Sequence, residues 1–201
     1  MQTILFIDGE NFIKKIRAVF GEVGQKMPDL HLYDFQGLFN KVLKDLKIDQ
    51  RNFYFARIKE HPATKEKSKQ LIETQRLLKN HLERQGFAVI LSGLVRGQME
   101  KTLNGKETLV FTEKGVDVKI TVDMVVNACD GKLKTAILGS SDSDLQPAIA
   151  ELQKRKINRI YLGFEMQPNK GLTYTTNRTI LIRNSEVLEF AHLAPRNANQ
   201  K

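Results

Sequence analysis

The chain has 201 residues, long enough for one α/β domain with a substantial core, and no Pro- or Gly-rich stretch divides it. Its 41% hydrophobic and 27% charged residues exclude a disordered chain, and no apolar run approaches the roughly 20 residues of a membrane helix. Thirty-two basic against 23 acidic residues give a formal charge of +9, a surface that attracts polyanions, while the single Cys129 excludes an internal disulfide and a Cys-rich zinc site.

The N-terminus "MQTILFIDGEN" has no basic region and meets acids after one short apolar run, so it does not read as a secretory signal, and a cytoplasmic location is expected. "TILFI", "NFYFARI", "FAVILSG", "TAILG" and "RIYLGF" are short, near-continuous apolar runs separated by helical periodicity. That pattern predicts an α/β fold with a mostly parallel central sheet covered on both faces. Helices are expected near 10–20 and 34–46, the second with Phe35, Leu38, Phe39, Val42, Leu43 and Leu46 on one stripe. "KEHPATKEKSKQ" reads as a charged loop, followed by a helix in which Leu71, Leu78 and Leu82 share a face until Gly86. Asn104-Gly105, flanked by strand-like residues, predicts an inserted β-hairpin over about 96–111, set either over the site or against a second subunit in a homodimer. "VDVKITVDMVVNAC" reads as a mostly buried helix with Cys129 an inert core thiol. "TILIR" reads as a further strand and "SEVLEFA" as a short helix. One domain over 1–192 is expected, with a disordered tail at 193–201.

The acids are placed unlike the bases. In an open α/β sheet, ligands bind outside the carboxyl ends of the strands, near the point where strand order reverses. The first strand ends in Asp8, Glu10 and Asn11; "TAILG" runs into Ser140, Ser141, Asp142 and Asp144; Asp117 opens the helix after the hairpin and Asp123 lies within it. Any one of Asp117, Asp142 or Ser143 reads equally well as a helix cap. Several acidic strand ends together are harder to explain, since converging carboxylates repel unless a cation compensates them. Asp123 has two readings, a structural one through an ion pair with Lys119 four residues earlier or hydrogen bonds to a neighbouring loop, and direct metal ligation. Oxygen ligands without His or Cys point to Mg²⁺ or Mn²⁺. The P-loop, dinucleotide and hydrolase-elbow motifs are absent. His31, His81 and His192 read as surface or packing residues, and His61 as able to touch a phosphate from its basic loop. No aromatic stacking platform stands out, Phe53 and Tyr54 being read as core.

"FIDGEN", "EKGVDVKITVDMV" after a hairpin, and "GSSDSDLQPAI" followed by "RIYLGF" together resemble the NYN domain family, in its LabA-like branch, within the PIN-like nuclease superfamily. The likeness spans roughly residues 3 to 190. It implies a Rossmann-like three-layer α/β/α domain and a metal-dependent nuclease usually acting on RNA. The family acids fall on Asp8, Asp117 and Asp142, with Asn11, Asp123, Ser140 and Asp144 around them. Where the family commonly shows "SGDGDF", this chain has "SSDSDL", keeping both acids. The implied chemistry is hydrolysis assisted by one or two Mg²⁺ or Mn²⁺ ions on Asp8, Asp117 and Asp142, with Asp144 as a further metal contact and Asn11 and Ser140 orienting the cluster. Phosphate contacts are expected from Arg57, Lys59, Lys65, Lys67, Lys69, Arg96 and Lys101. Two other readings stay open at this point: a non-catalytic nucleic-acid or protein binding module with a vestigial acidic site, and a phosphohydrolase acting on small phosphoesters.

Overall fold

The computed structural model describes residues 1–60, 65–101 and 107–191, with the backbone alone at 96–101 and 107–113. Seven strands form one sheet: β1 (Gln2–Asp8), β2 (Gln50–Arg57), β3 (Ala88–Lys101), β4 (Glu107–Lys114), β5 (Leu133–Gly139), β6 (Asn158–Phe164) and β7 (Arg178–Ile182), in the order β4-β3-β2-β1-β5-β6-β7. Six strands run parallel, and β4 alone is antiparallel, pairing with the far half of β3 from Leu94↔Lys114 to Lys101↔Glu107. The expected sheet and inserted hairpin are therefore present, although the Asn104-Gly105 turn lies outside the described residues. So do His61, His192 and the expected tail.

The described residues also form seven α-helices: α1 (Gly9–Glu22), α2 (Phe35–Val42), α3 (Lys65–Arg84), α4 (Val116–Cys129), α5 (Gln146–Lys154), α6 (Lys170–Thr175) and α7 (Asn184–Glu189). Strand alternation sorts them into two layers. Leu5, Ile7, Phe53 and Phe55 face a core shared with α1, α2, α3 and α7; Ile4, Phe6, Tyr54 and Ala56 face α4, α5 and α6. The result is a three-layer α/β/α sandwich. None of these helices is long and apolar enough to cross a membrane.

Four expectations are corrected. The charged stretch from Lys65 onward belongs to α3 and not to a loop, because Lys, Glu and Gln are good helix formers and Ser68 there is buried. α2 ends at Val42, short of Leu46, where the chain tightens into turns before β2. α4 lies in an outer layer and buries only one face: Val116, Ile120 and Met124 are covered, whereas Val118, Val122 and Val126 are exposed. Cys129 at its end is exposed as well, not a core thiol. Native protein should accordingly release its full thiol equivalent to a disulfide reagent without denaturant; a thiol that reacts only after unfolding would contradict this placement.

Two glycines set the approach to the strand ends. A Cβ on Gly9 would fall inside the ring of Phe55, which packs against the first turn of α1. Gly9→Ala should therefore cost about 1–3 kcal/mol of stability, the usual price of forcing atoms into a packed site, read as a lowered denaturant midpoint. Gly115 (φ 88°) supplies the left-handed residue through which β4 turns into α4, placing Asp117 in that helix's first turn.

Candidate active site

Strand order reverses direction at β1, which has β2 on one side and β5 on the other. Asp8 ends β1 there and is nearly buried, 6% exposed. It caps α1, its Oδ1 accepting from the Asn11 amide (3.1 Å), while Oδ2 accepts from the Ser140 hydroxyl (3.2 Å) just beyond β5. The Ser140 oxygen in turn accepts from the Asp142 amide (3.1 Å), and Asp142 Oδ1 accepts from the Asp144 amide (2.9 Å). A chain of hydrogen bonds thus ties the ends of two adjacent strands.

Asn11 secures the same loop from the other side. Its Oδ1 accepts from both the amide (3.1 Å) and the hydroxyl (3.0 Å) of Ser141. Asn169, which caps α6, donates to the Ser141 carbonyl (2.9 Å) while its own amide donates to the Tyr161 hydroxyl (2.9 Å). Asn169 escaped the sequence reading, although Asn ahead of a short helix is a readable capping signal.

A cavity of about 640 Å³ opens over these strand ends. Asp8, Asp117 and Asp142 line it together with Glu10 and Asn11, so β1, α4 and the loop after β5 deliver their acids to one place. Lys14 and Arg17 of α1 supply its cations, and Phe55, Ile58, Leu71 and Val95 its apolar wall. Burial raises the Asp8 carboxyl above the ordinary carboxylate range; the Asn11 and Ser140 hydrogen bonds oppose the rise, and the charges of Asp117 and Asp142 add to it. Four carboxylates against two cations leave a formal excess of two negative charges in the cavity.

The other predicted residues sit elsewhere. Asp123 forms an ion pair with Lys119 (2.6 Å) and accepts from the Tyr54 hydroxyl (3.1 Å), away from the cavity lining. Asp144 is exposed, outside the cavity lining, and donates its amide to Asp142. Of the predicted phosphate-binding residues, Arg57, Lys59, Lys65, Lys67 and Lys69 are exposed but do not line the cavity, Lys65 pairing with Glu60 and Lys69 with Glu66. The side chains of Arg96 and Lys101 fall outside the described part. Phe53 and Tyr54 are core residues, and His81 holds the Tyr33 carbonyl (2.7 Å) in the interior.

The sequence profile of the NYN domain family matches residues 2–182. The chain belongs to the NYN domain family. NYN domains fall within the PIN-like nuclease superfamily, whose members are generally ribonucleases. Among solved structures, the chain is similar to a crystal structure of a protein of unknown function, VPA0982 from Vibrio parahaemolyticus RIMD 2210633, at 17% identity and a TM-score of 0.58, covering 90% of this chain and 93% of that one. That likeness establishes the fold. No curated protein matches the chain.

Among the described residues of this NYN domain, no three His, Cys, Asp or Glu side chains already stand close enough to hold a metal ion. The donor set nevertheless suits a hard cation: the cavity acids offer only carboxylate oxygens, and like charges gather around a buried Asp8.

Proposed function

We propose that the protein is a metal-dependent ribonuclease of the LabA-like branch that hydrolyses phosphodiester bonds with Mg²⁺ or Mn²⁺. The observation that carries this reading is the convergence of Asp8, Asp117 and Asp142, from three separate elements, on one cavity at the switch point of the sheet. Asp8, Asp117 and Asp142 would hold the cation, while Asp144 on the same loop is exposed outside the cavity lining and supports Asp142 through its amide. A bound divalent ion neutralises phosphate charge and makes water a stronger nucleophile at neutral pH.

The chain's own groups do the rest. Ser140 and the Asn11 amide fix the orientation of the Asp8 carboxylate, and the Asn11 side chain holds the 140–142 loop so that Asp142 keeps its aim. Lys14 and Arg17 meet phosphate groups at the mouth. Each lies near Glu10, at 4.0 and 3.9 Å, and both are more than half exposed, so these loose ion pairs are exchangeable for phosphate at little cost. The basic surface favours a polymer over a small phosphoester.

The test separates these classes. Purified protein with Mn²⁺ should cut labelled RNA and leave a small aryl phosphodiester largely untouched, and its RNA affinity in chelator should fall with salt, with a log–log slope of about −0.7 per neutralised phosphate. Salt-sensitive binding without cleavage would transfer the protein to the non-catalytic class. Cleavage of the small ester alone would make it a phosphohydrolase.

A further inference from the structure

A second cavity, about 450 Å³, lies along the same side of the molecule between the later part of α1, the turn at Met27–His31 and α3. It adjoins the first. Arg17 lines both, and one face of α3 runs along both: Leu71 and Gln75 border the acidic cavity, Thr74, Leu77 and Leu78 the second. Gln75 anchors that face, donating to the Ala56 carbonyl (2.8 Å) and accepting from the Ile58 amide (3.3 Å) at the end of β2. The two cavities thus adjoin at Arg17, both bordered by α1 and α3.

We infer that the second cavity is a nucleobase subsite for a single-stranded nucleic acid whose scissile phosphate lies at the acidic cluster. This rests on the nuclease reading above. The walls have the right chemistry for a base: Met27, Pro28, Leu30, Leu77 and Leu78 are apolar, while His31, Thr74 and Asp29 offer polar groups to a base edge. Leu77 is 38% exposed and presents apolar surface at the cavity. Arg17, 53% exposed and only loosely paired with Glu10, stands where the connecting phosphates must pass.

Length supports the same geometry. From Asp8 to Arg17, where the two cavities meet, the helix rises about 14 Å, so a base in the second cavity lies several nucleotides from the acidic cluster. A base held in a duplex stays stacked and paired, and does not enter a cavity walled by two helices. The occupant is therefore one strand with a base turned out of the stack.

The experiment measures binding of fluorescent oligonucleotides in chelator, where nothing is cut. Wild-type affinity should rise at least about tenfold between strands of roughly three and roughly eight nucleotides, and Leu77→Glu should abolish that rise. Arg17→Glu should weaken the longer strand most. As a readout independent of any variant's folding, a photoreactive base walked along the longer strand should cross-link wild-type protein at Met27–His31 or Thr74–Leu78. The cross-linking position should lie several nucleotides from the one that labels the Phe55 wall. An undiminished length effect in folded Leu77→Glu, cross-links confined to other surfaces, or tighter binding of duplex than of single strand would overturn the subsite. If Mn²⁺-dependent cleavage is intact while those cross-links are absent, this inference fails alone; if they are present and cleavage is absent, the nuclease reading fails.

Discussion

Asp142→Asn should lower metal-dependent RNA cleavage about a hundredfold or more, the scale on which loss of one well-placed electrostatic group is felt in a charged transition state. The substitution isolates charge from shape. Asn keeps the Oδ1 that accepts the Asp144 amide, and the Asp142 amide still donates to Ser140, so the turn after β5 survives. Only the negative charge facing Asp8 and Asp117 across the cavity is lost. Asp144→Asn provides the contrast. Its side chain is exposed and outside the cavity lining, so the expected loss is less than about tenfold. Cleavage rates on one labelled RNA, with melting temperatures of both variants, check the pair. Equal losses in the two variants would mean that position on the loop, and not placement in the cavity, decides the effect.

Asp8→Asn should also abolish cleavage, yet stabilise the metal-free protein. Burial places the folded-state pKa of Asp8 above its unfolded value. The folded protein therefore binds this proton more tightly than the unfolded chain. Above the folded pKa the ionised carboxylate costs stability, and the cost is relieved as pH falls through the folded pKa toward the unfolded one. Asn removes the charge at every pH. It retains an oxygen for the Asn11 amide, so the cap on α1 is kept. The gain should be on the order of 1 kcal/mol, as for other site residues held against stability, or about 2–4 °C in a domain of this size. Thermal melts in chelator at pH 7.5 and pH 5 check it: the variant's advantage should shrink at the lower pH. A variant less stable than wild type at both pH values would mean that Asp8 is a structural anion and not a charge awaiting a cation.

The sheet was legible because parallel strands buried on both faces have to be continuous apolar runs, and "TILFI", "NFYFARI" and "TAILG" are such runs. The acidic part of the site was legible for a related reason. Carboxylates are out of place where a buried strand ends, so Asp8 and Asp142 stand out against Ile7 and Leu138 before them. Its cationic part was not. Lys14 and Arg17 sit among other charges on a helix, where nothing in a linear pattern distinguishes a groove wall from a solvated face; only the packing of α3 beside α1 makes that difference. The same blindness explains α4. Its apolar run suggested burial on all sides, but an outer-layer helix covers the sheet with one stripe, and Val118, Val122 and Val126 lie on the other. Asp123 had two readings in sequence, and the contact with Tyr54 from β2, invisible along the chain, accompanies the ion pair with Lys119.

The central claim is that acids from three elements serve hydrolysis of a nucleic acid through a divalent cation. The measurement that tests it most directly is an incubation of purified wild-type protein with a labelled, mixed-sequence single-stranded RNA, first in Mn²⁺, then in excess chelator, then with Mn²⁺ restored. Cleavage that starts, stops and resumes in step with the ion, and is missing throughout for Asp142→Asn, is the result predicted here. Cleavage indifferent to chelator, or no cleavage of several RNAs by folded protein that binds them, would contradict it.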